Sequence, residues 1–199
     1  GDYAAIQVFE LPSFEQVAEW HHNTTPMNQQ VRILQQINKH IHDAIMEKDT
    51  TASPQIFYSM ENNSIGEAAL LRVMDIGEEN IQGMFLSEPI RKGHRRKFRR
   101  GFNTTAKHKI DACTKFKELV ENGKMKINSQ LLISELKDFV ASGMSYKAKA
   151  GQHDDLVSSC LLMTRMMKVL ADFDPKIFEK WTDRTSELKP MPVFGSFYG

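Results

Sequence analysis

Three carboxylates are placed where chemistry could be done. Residues 151–160 read GQHDDLVSSC, which sets Asp154 and Asp155 side by side where an apolar run begins. One aspartate there would be an ordinary helix N-cap, accepting a backbone N–H of the first turn. A second adds little to the cap and adds repulsion between like charges. Glu61 closes the apolar stretch QIFYSM (55–60) and is followed by Asn-Asn-Ser-Ile-Gly. Brought together, a strand-end acid and two helix-start acids would form a hard, oxygen-rich site suited to Mg²⁺ or Mn²⁺. Two such ions can activate water and stabilise the leaving oxygen in phosphodiester hydrolysis. The plainer alternative makes Glu61 a solvated strand end and Asp154 a cap, and spacing alone leans that way. His153 adjoins the acid pair, either as part of the site or as a helix-start residue bonded to a neighbour. His21, His22, His40, His42 and His94 lack the helical pairing with Glu or Cys that would suggest zinc.

A second chemical feature is RKGHRRKFRR, residues 91–100, with seven Lys or Arg and one His. Basic runs are usually solvated faces. Here the whole chain carries a net charge of only +1, and this much positive charge in one unpatterned segment is costly without a polyanion. Phosphate contact with counterion release is the natural use, which makes Arg91, Lys92, Arg95, Arg96, Lys97, Arg99 and Arg100 candidate DNA-binding residues. Phe98 and Phe102 could stack on a splayed base, although anchoring the segment is their plainer role.

Elements that would position these groups follow from hydrophobic periodicity. Residues 4–11 and 16–22 read as two strands joined at Pro12 and Ser13, a hairpin. Residues 28–48 carry apolar positions at helical spacing. Residues 55–60 and 81–86 read as short strands, with a helix between them ending near Met74. Asn103 and Thr104 are placed to cap a helix that stops at Gly123. Residues 124–127 then read as a brief strand, 129–140 as an amphipathic helix and 144–150 as a strand. A final helix runs from the acid pair to about Asp172. Such alternation is an α/β pattern, and the leading hairpin makes the sheet mixed. Ligands of such sheets gather at the carboxyl ends of strands, where Glu61 sits. Residues 1–173 therefore read as one domain and 174–199, with Pro175, Pro190 and Pro192, as an irregular tail.

The bulk numbers are compatible with this. A chain of 199 residues with 41% hydrophobic content can bury one sizeable core. Cys113 and Cys160 lack metal-like spacing and read as buried reduced thiols, and the Met-rich stretch 163–167 reads as core filling. No apolar run reaches the length of about 18 residues expected of a membrane helix, and no signal peptide opens the chain; we expect an intracellular protein with no membrane partner. No P-loop, G-x-S-x-G or Cys/His protease pattern is present. Gly1 leads directly into a strand-like stretch, from which we expect further sequence upstream.

In order along the chain, GDYAAIQVFE, then FYSMENNSIGEAAL, then TTAKHKIDACTKFKELVENGKMKI, then GQHDDLVSSCLL resemble the C-terminal nuclease domain of the large terminase subunit of tailed double-stranded DNA bacteriophages. The last segment is the most specific, and the second carries a Glu-x-Asn-x-x-Gly pattern at Glu61, Asn63 and Gly66. The resemblance implies an RNase H-like α/β fold, a mixed sheet flanked by helices. It implies a metal-dependent endonuclease that cuts concatemeric viral DNA during genome packaging. Glu61 and Asp154 match two of the family's metal-holding acids, Asp155 is close enough to share the metal, and Asp2 matches an additional acidic position. Asn63 and His153 would support these ligands. The family's first-strand acid and its packaging ATPase domain are expected upstream of Gly1. Double-stranded DNA, the portal and the small terminase subunit are the implied partners, and the cytoplasm of the infected bacterium the implied location. Two rivals stay open: another RNase H-like nuclease of the resolvase or integrase type, and a non-catalytic DNA-binding or docking module whose acids are caps.

Overall fold

The computed structural model describes residues 3–89, 100–143 and 145–173. Asp2, residues 91–99 of the basic segment and the tail from 174 lie outside the described residues. The elements run β1 (Ala4–Glu10), β2 (Glu15–His22), α1 (Met27–Lys48), β3 (Phe57–Tyr58), α2 (Ser64–Ile76), a 3-10 turn (Glu78–Asn80), β4 (Met84–Phe85), α3 (Ala106–Glu121), α4 (Gln130–Asp138), β5 (Phe139–Ser142), β6 (Ser145–Ala148) and α5 (Asp155–Phe173).

Local sequence chemistry sets most of the boundaries. Asn63 caps α2 by accepting the Gly66 N–H at 2.8 Å, and Gly77, at φ +85°, ends it in a conformation that favours glycine. Thr105 caps α3 through the His108 N–H at 3.2 Å, and Ser129 caps α4 through the Leu132 N–H at 3.1 Å. The α3 cap lies one residue beyond the expected Asn103 and Thr104. Asn103 uses its carbonyl differently, accepting from the Arg165 guanidinium at 3.0 Å.

The ladders are short. β1 pairs antiparallel with β2, β3 parallel with β4, and β5 antiparallel with β6. Two single bridges extend the pattern, Glu15 with Lys126 and Glu61 with Phe102. Consecutive strand residues point to opposite faces, and β3 uses this to separate two cores. Tyr58 joins Val31, Val73 and Ile81 beneath α1 and α2. Phe57 faces the larger core, built from Phe116 and Leu119 of α3, Leu132 of α4 and Leu156, Val157 and Cys160 of α5. Helices therefore cover both faces of the β3–β4 layer, the arrangement that sheet amphipathicity demands when both faces are apolar. Cys113 and Cys160 are buried and form no disulfide, and burial pushes the Cys113 thiol up to about 11. Met167 lies in the larger core, with Met163 and Met166 packed against it.

Several expected elements come out shorter or divided. The helix expected over 129–140 ends at Asp138, because Phe139 and Val140 pair with Ala148 and Lys147 across the β5–β6 ladder. Tertiary pairing has overridden an amphipathic pattern that fits either state. Of the strand expected over 124–127, only Lys126 pairs, exchanging backbone bonds with Phe14 and Gln16. The stretches 55–60 and 81–86 each keep a two-residue ladder, the second starting just after Gly83 at φ +111°.

Candidate active site

Glu61 is positioned by its own neighbours in sequence. Its backbone pairs in parallel with Phe102, fixing the chain at the carboxyl end of β3. Its carboxylate accepts from Asn63 Nδ2 at 2.9 Å, while Asn63 Oδ1 caps α2. One side chain thus ties the acid to the head of a helix. Gly66 completes the pattern, since a Cβ there would lie 1.7 Å from the Glu61 carbonyl oxygen.

At the head of α5 the two aspartates have different neighbours. Asp154 precedes the helix, and its carbonyl accepts the first intrahelical bond from the Ser158 N–H at 2.8 Å, which makes it the N-cap residue. Its carboxylate accepts from Lys109 Nζ of α3 at 3.3 Å. Asp155 accepts the Tyr3 backbone N–H, and burial raises it above the ordinary carboxylate range, assisted by the charge of Asp154. His153 Nδ1 stands 3.7 Å from the Asp155 carboxylate. Tyr3 stacks on His21 with ring centroids 4.3 Å apart and meets His153 edge-on at 4.8 Å. Burial holds the His21 imidazole below its usual value, with the nearby Asp155 carboxylate working against that shift.

The cap itself comes from elsewhere. Glu135 of α4 accepts the N–H groups of Leu156 and Val157 through one carboxylate oxygen, at 2.9 and 3.1 Å. Burial raises Glu135, and those two N–H bonds pull it back. A cleft of about 170 Å³ opens between Glu135, Asp138, His21 and His153.

Among the described residues, no group of three or more His, Cys, Asp or Glu is set to hold a metal ion. The structure brings Asp154, Asp155 and His153 together at the head of α5 and places Glu61 and Asn63 at the end of β3. These two groups of described residues share no hydrogen bond or ion pair. Arg100, the described member of the basic segment, pairs with Glu78. Phe102, a candidate stacking residue, is buried, with the Arg165 guanidinium 5.1 Å from its ring centroid. Arg165 also pairs with Glu88 and donates to Thr104 Oγ1 at 3.1 Å, and the Glu88 N–H bonds the Gly101 carbonyl at 3.1 Å. Both flanks of the basic segment are thereby pinned to α5.

Glu135, Lys109 and Arg165 escape a reading of the sequence. Their partners lie 21, 45 and 77 positions away, and no local pattern marks such contacts. Ser129 followed by a short amphipathic helix does signal α4, but nothing announces that its glutamate reaches another helix.

Three separate two-stranded ladders, the parallel β3–β4 pair covered by helices on both faces, with acids at a strand end and at the head of the last described helix, make the fold α/β. The chain belongs to the terminase RNase H-like family: the family model described as "Terminase RNaseH-like domain" matches residues 1–166. The fold is similar to that of the large terminase nuclease from thermophilic phage G20c crystallised with bound magnesium, with a TM-score of 0.54 at 18% identity. That match covers 82% of this chain and 74% of the other. The same phage nuclease with bound cobalt gives the same values.

Proposed function

We propose that this domain is a metal-dependent DNA endonuclease that cuts concatemeric viral DNA during genome packaging. Membership of the terminase family over residues 1–166 supports the packaging role, and the structurally similar phage nuclease was crystallised with magnesium and with cobalt. Within the site, one observation carries the reading: neither aspartate at the head of α5 caps the helix, because Glu135 does. Neither carboxylate is spent on the helix's own N–H groups; Asp154 meets the Lys109 ammonium and Asp155 the Tyr3 N–H, and a cation would share or replace these contacts.

The donors suit a hard divalent ion. They are carboxylate oxygens, and the thiols of Cys113 and Cys160 lie buried in the core. Glu61 and Asp154, with Asp155 and an acid expected upstream of Gly1, would hold two Mg²⁺ or Mn²⁺ ions, and Asp2 would add a further acidic position. Bound there, the ions would supply water activation and charge stabilisation at the departing 3′ oxygen. The chain's own groups prepare the place. Asn63 holds Glu61 in orientation, Lys109 balances Asp154, and burial of Asp155 disfavours a bare negative charge until a cation arrives. Arg91, Lys92, Arg95, Arg96, Lys97 and Arg99, with Arg100 at their edge, would grip phosphates of double-stranded DNA. Cutting should therefore show little sequence preference. An upstream packaging ATPase domain, the portal and the small terminase subunit are the proposed partners, in the cytoplasm of the infected host. Among the described residues no helix is long and apolar enough to cross a membrane.

The direct test is nicking of supercoiled plasmid with Mn²⁺ by the Asp154→Ala variant. Loss of cutting is the expected outcome, and undiminished cutting would sink the assignment.

A further inference from the structure

The head of α5 solves a capping problem in an unusual way. Asp154 occupies the N-cap, and aspartate is among the best capping residues. The expected arrangement is that its own carboxylate accepts the N–H of the second or third helical residue. Here those two N–H groups, of Leu156 and Val157, go instead to Glu135, 21 and 22 positions earlier in the chain. Asp154 is turned to Lys109. The substitution is electrostatically unfavourable in itself. It sets a third carboxylate beside two others at one helix start, where like charges repel. A helix needing only a cap would not require it.

Glu135 is also anchored more firmly than a surface cap. Gln16 of β2, 4% exposed, accepts the N–H groups of Asn128 and Ser129 at 2.9 and 2.8 Å. Ser129 Oγ donates to Glu19 of β2 at 2.8 Å. Leu132 and Leu156, both fully buried, pack in the same core. The start of α4 is thus fixed to β2, and α4 carries Glu135 to the head of α5. The Tyr3 N–H, just ahead of β1, fixes Asp155 from the other side.

We propose that Glu135 is a positioning residue for the acid pair: by capping α5 from α4, it frees the Asp154 and Asp155 carboxylates from capping the helix and fixes the helix start that carries them relative to the β1–β2 hairpin. The inference rests on the metal-site reading above. Residues that orient metal ligands without touching the ion typically contribute about 10–100-fold to affinity, and a loss in that range is expected when Glu135 is truncated.

The experiment measures Mn²⁺ binding to the 199-residue chain by electron paramagnetic resonance of the free ion. Wild type is compared with Glu135→Ala, Glu135→Gln and Asp154→Ala, with amide hydrogen exchange of the metal-free proteins over residues 152–158. Glu135→Ala is expected to weaken Mn²⁺ binding roughly tenfold or more and to speed exchange at Leu156 and Val157. Glu135→Gln, whose amide oxygen still accepts both N–H groups, is expected to recover most of the affinity and protection. Equal damage from both variants would make Glu135 a direct ligand and overturn its positioning role. Wild-type affinity in Glu135→Ala, with Asp154→Ala deficient, would overturn the inference and leave the metal site standing. Mn²⁺ binding that is absent in wild type, or unchanged in Asp154→Ala, would overturn the metal site and the inference with it. Should Glu135→Ala fold poorly, Glu135→Gln together with Ser129→Ala, which loosens the anchor of α4, reads the same quantities.

Discussion

Lys109 bonds Asp154 at 3.3 Å, and its ammonium also lies 5.4 Å from the centroid of the Phe139 ring. Both members of the pair are about three-quarters covered, with side-chain exposures of 21% and 28%. A carboxylate in that setting wants a cation nearby, and in this structure the lysine supplies it. A divalent ion arriving at Asp154 must compete with that ammonium. Lys109→Met removes the competitor and keeps most of the stem that lies against Phe139. We therefore expect Mn²⁺ to bind up to about fivefold more tightly, the equivalent of about 1 kcal/mol for a partly exposed ion pair. The metal-free protein should lose a similar amount of stability in a urea titration. Weaker Mn²⁺ binding would instead place Lys109 among the groups that build the site. Histidines are informative at this scale too. Sequence position beside the acids singles out His153, whereas His21 has no helical partner to recommend it. His21 reaches Asp155 through space by way of a strand, a route that helical spacing rules do not cover.

The strand-to-helix turn at Glu61 is legible in the sequence because its chemistry is local. Glu61, Asn63 and Gly66 fall within six residues, and they divide the work: a candidate ligand, a cap and a clearance. Gly66→Ala would drive a Cβ to 1.7 Å from the Glu61 carbonyl oxygen. Backbone cannot yield as a flexible side-chain end can, so the head of α2 must move. The expected cost is about 3 kcal/mol in denaturant unfolding, as for severe overpacking, together with impaired plasmid nicking as Glu61 is displaced. Wild-type stability in Gly66→Ala would mean that the start of α2 can slide. Elsewhere the local signals are weaker than the tertiary ones. Phe139 and Val140 suit a strand by type and a helix by spacing, and the β6 partner decides the matter. Lys124–Ile127 has the look of a strand, but only Lys126 meets a partner edge. The α5 head shows the limit most clearly. Two adjacent aspartates at a helix start can be read as a cap, and only the distant Glu135 reveals that they are not one.

Across the whole molecule, charge is divided much as the cores are. Residues 91–100 hold seven of the 26 basic side chains and none of the 25 acidic ones, so acids outnumber bases over the rest of the chain. The clustered acids at the head of α5 would repel a DNA backbone in the absence of cations, and the basic segment has to supply the attraction. Its flanks are fixed near the same helix by the Arg165–Glu88 pair and the Glu88–Gly101 backbone bond. Attraction and cutting would then be separable by mutation. Replacing Arg95, Arg96 and Lys97 together by Ala should weaken binding to linear duplex DNA in metal-free buffer for every sequence alike. If each side chain neutralises one phosphate, the slope of log affinity against log salt should fall by nearly 3, at about 0.9 per contact. Asp154→Ala in the same buffer removes a negative charge and no phosphate contact, so its slope should match wild type while its nicking is lost. A triple variant with an unchanged salt slope would move the DNA contact away from residues 91–100 and onto another face of the domain.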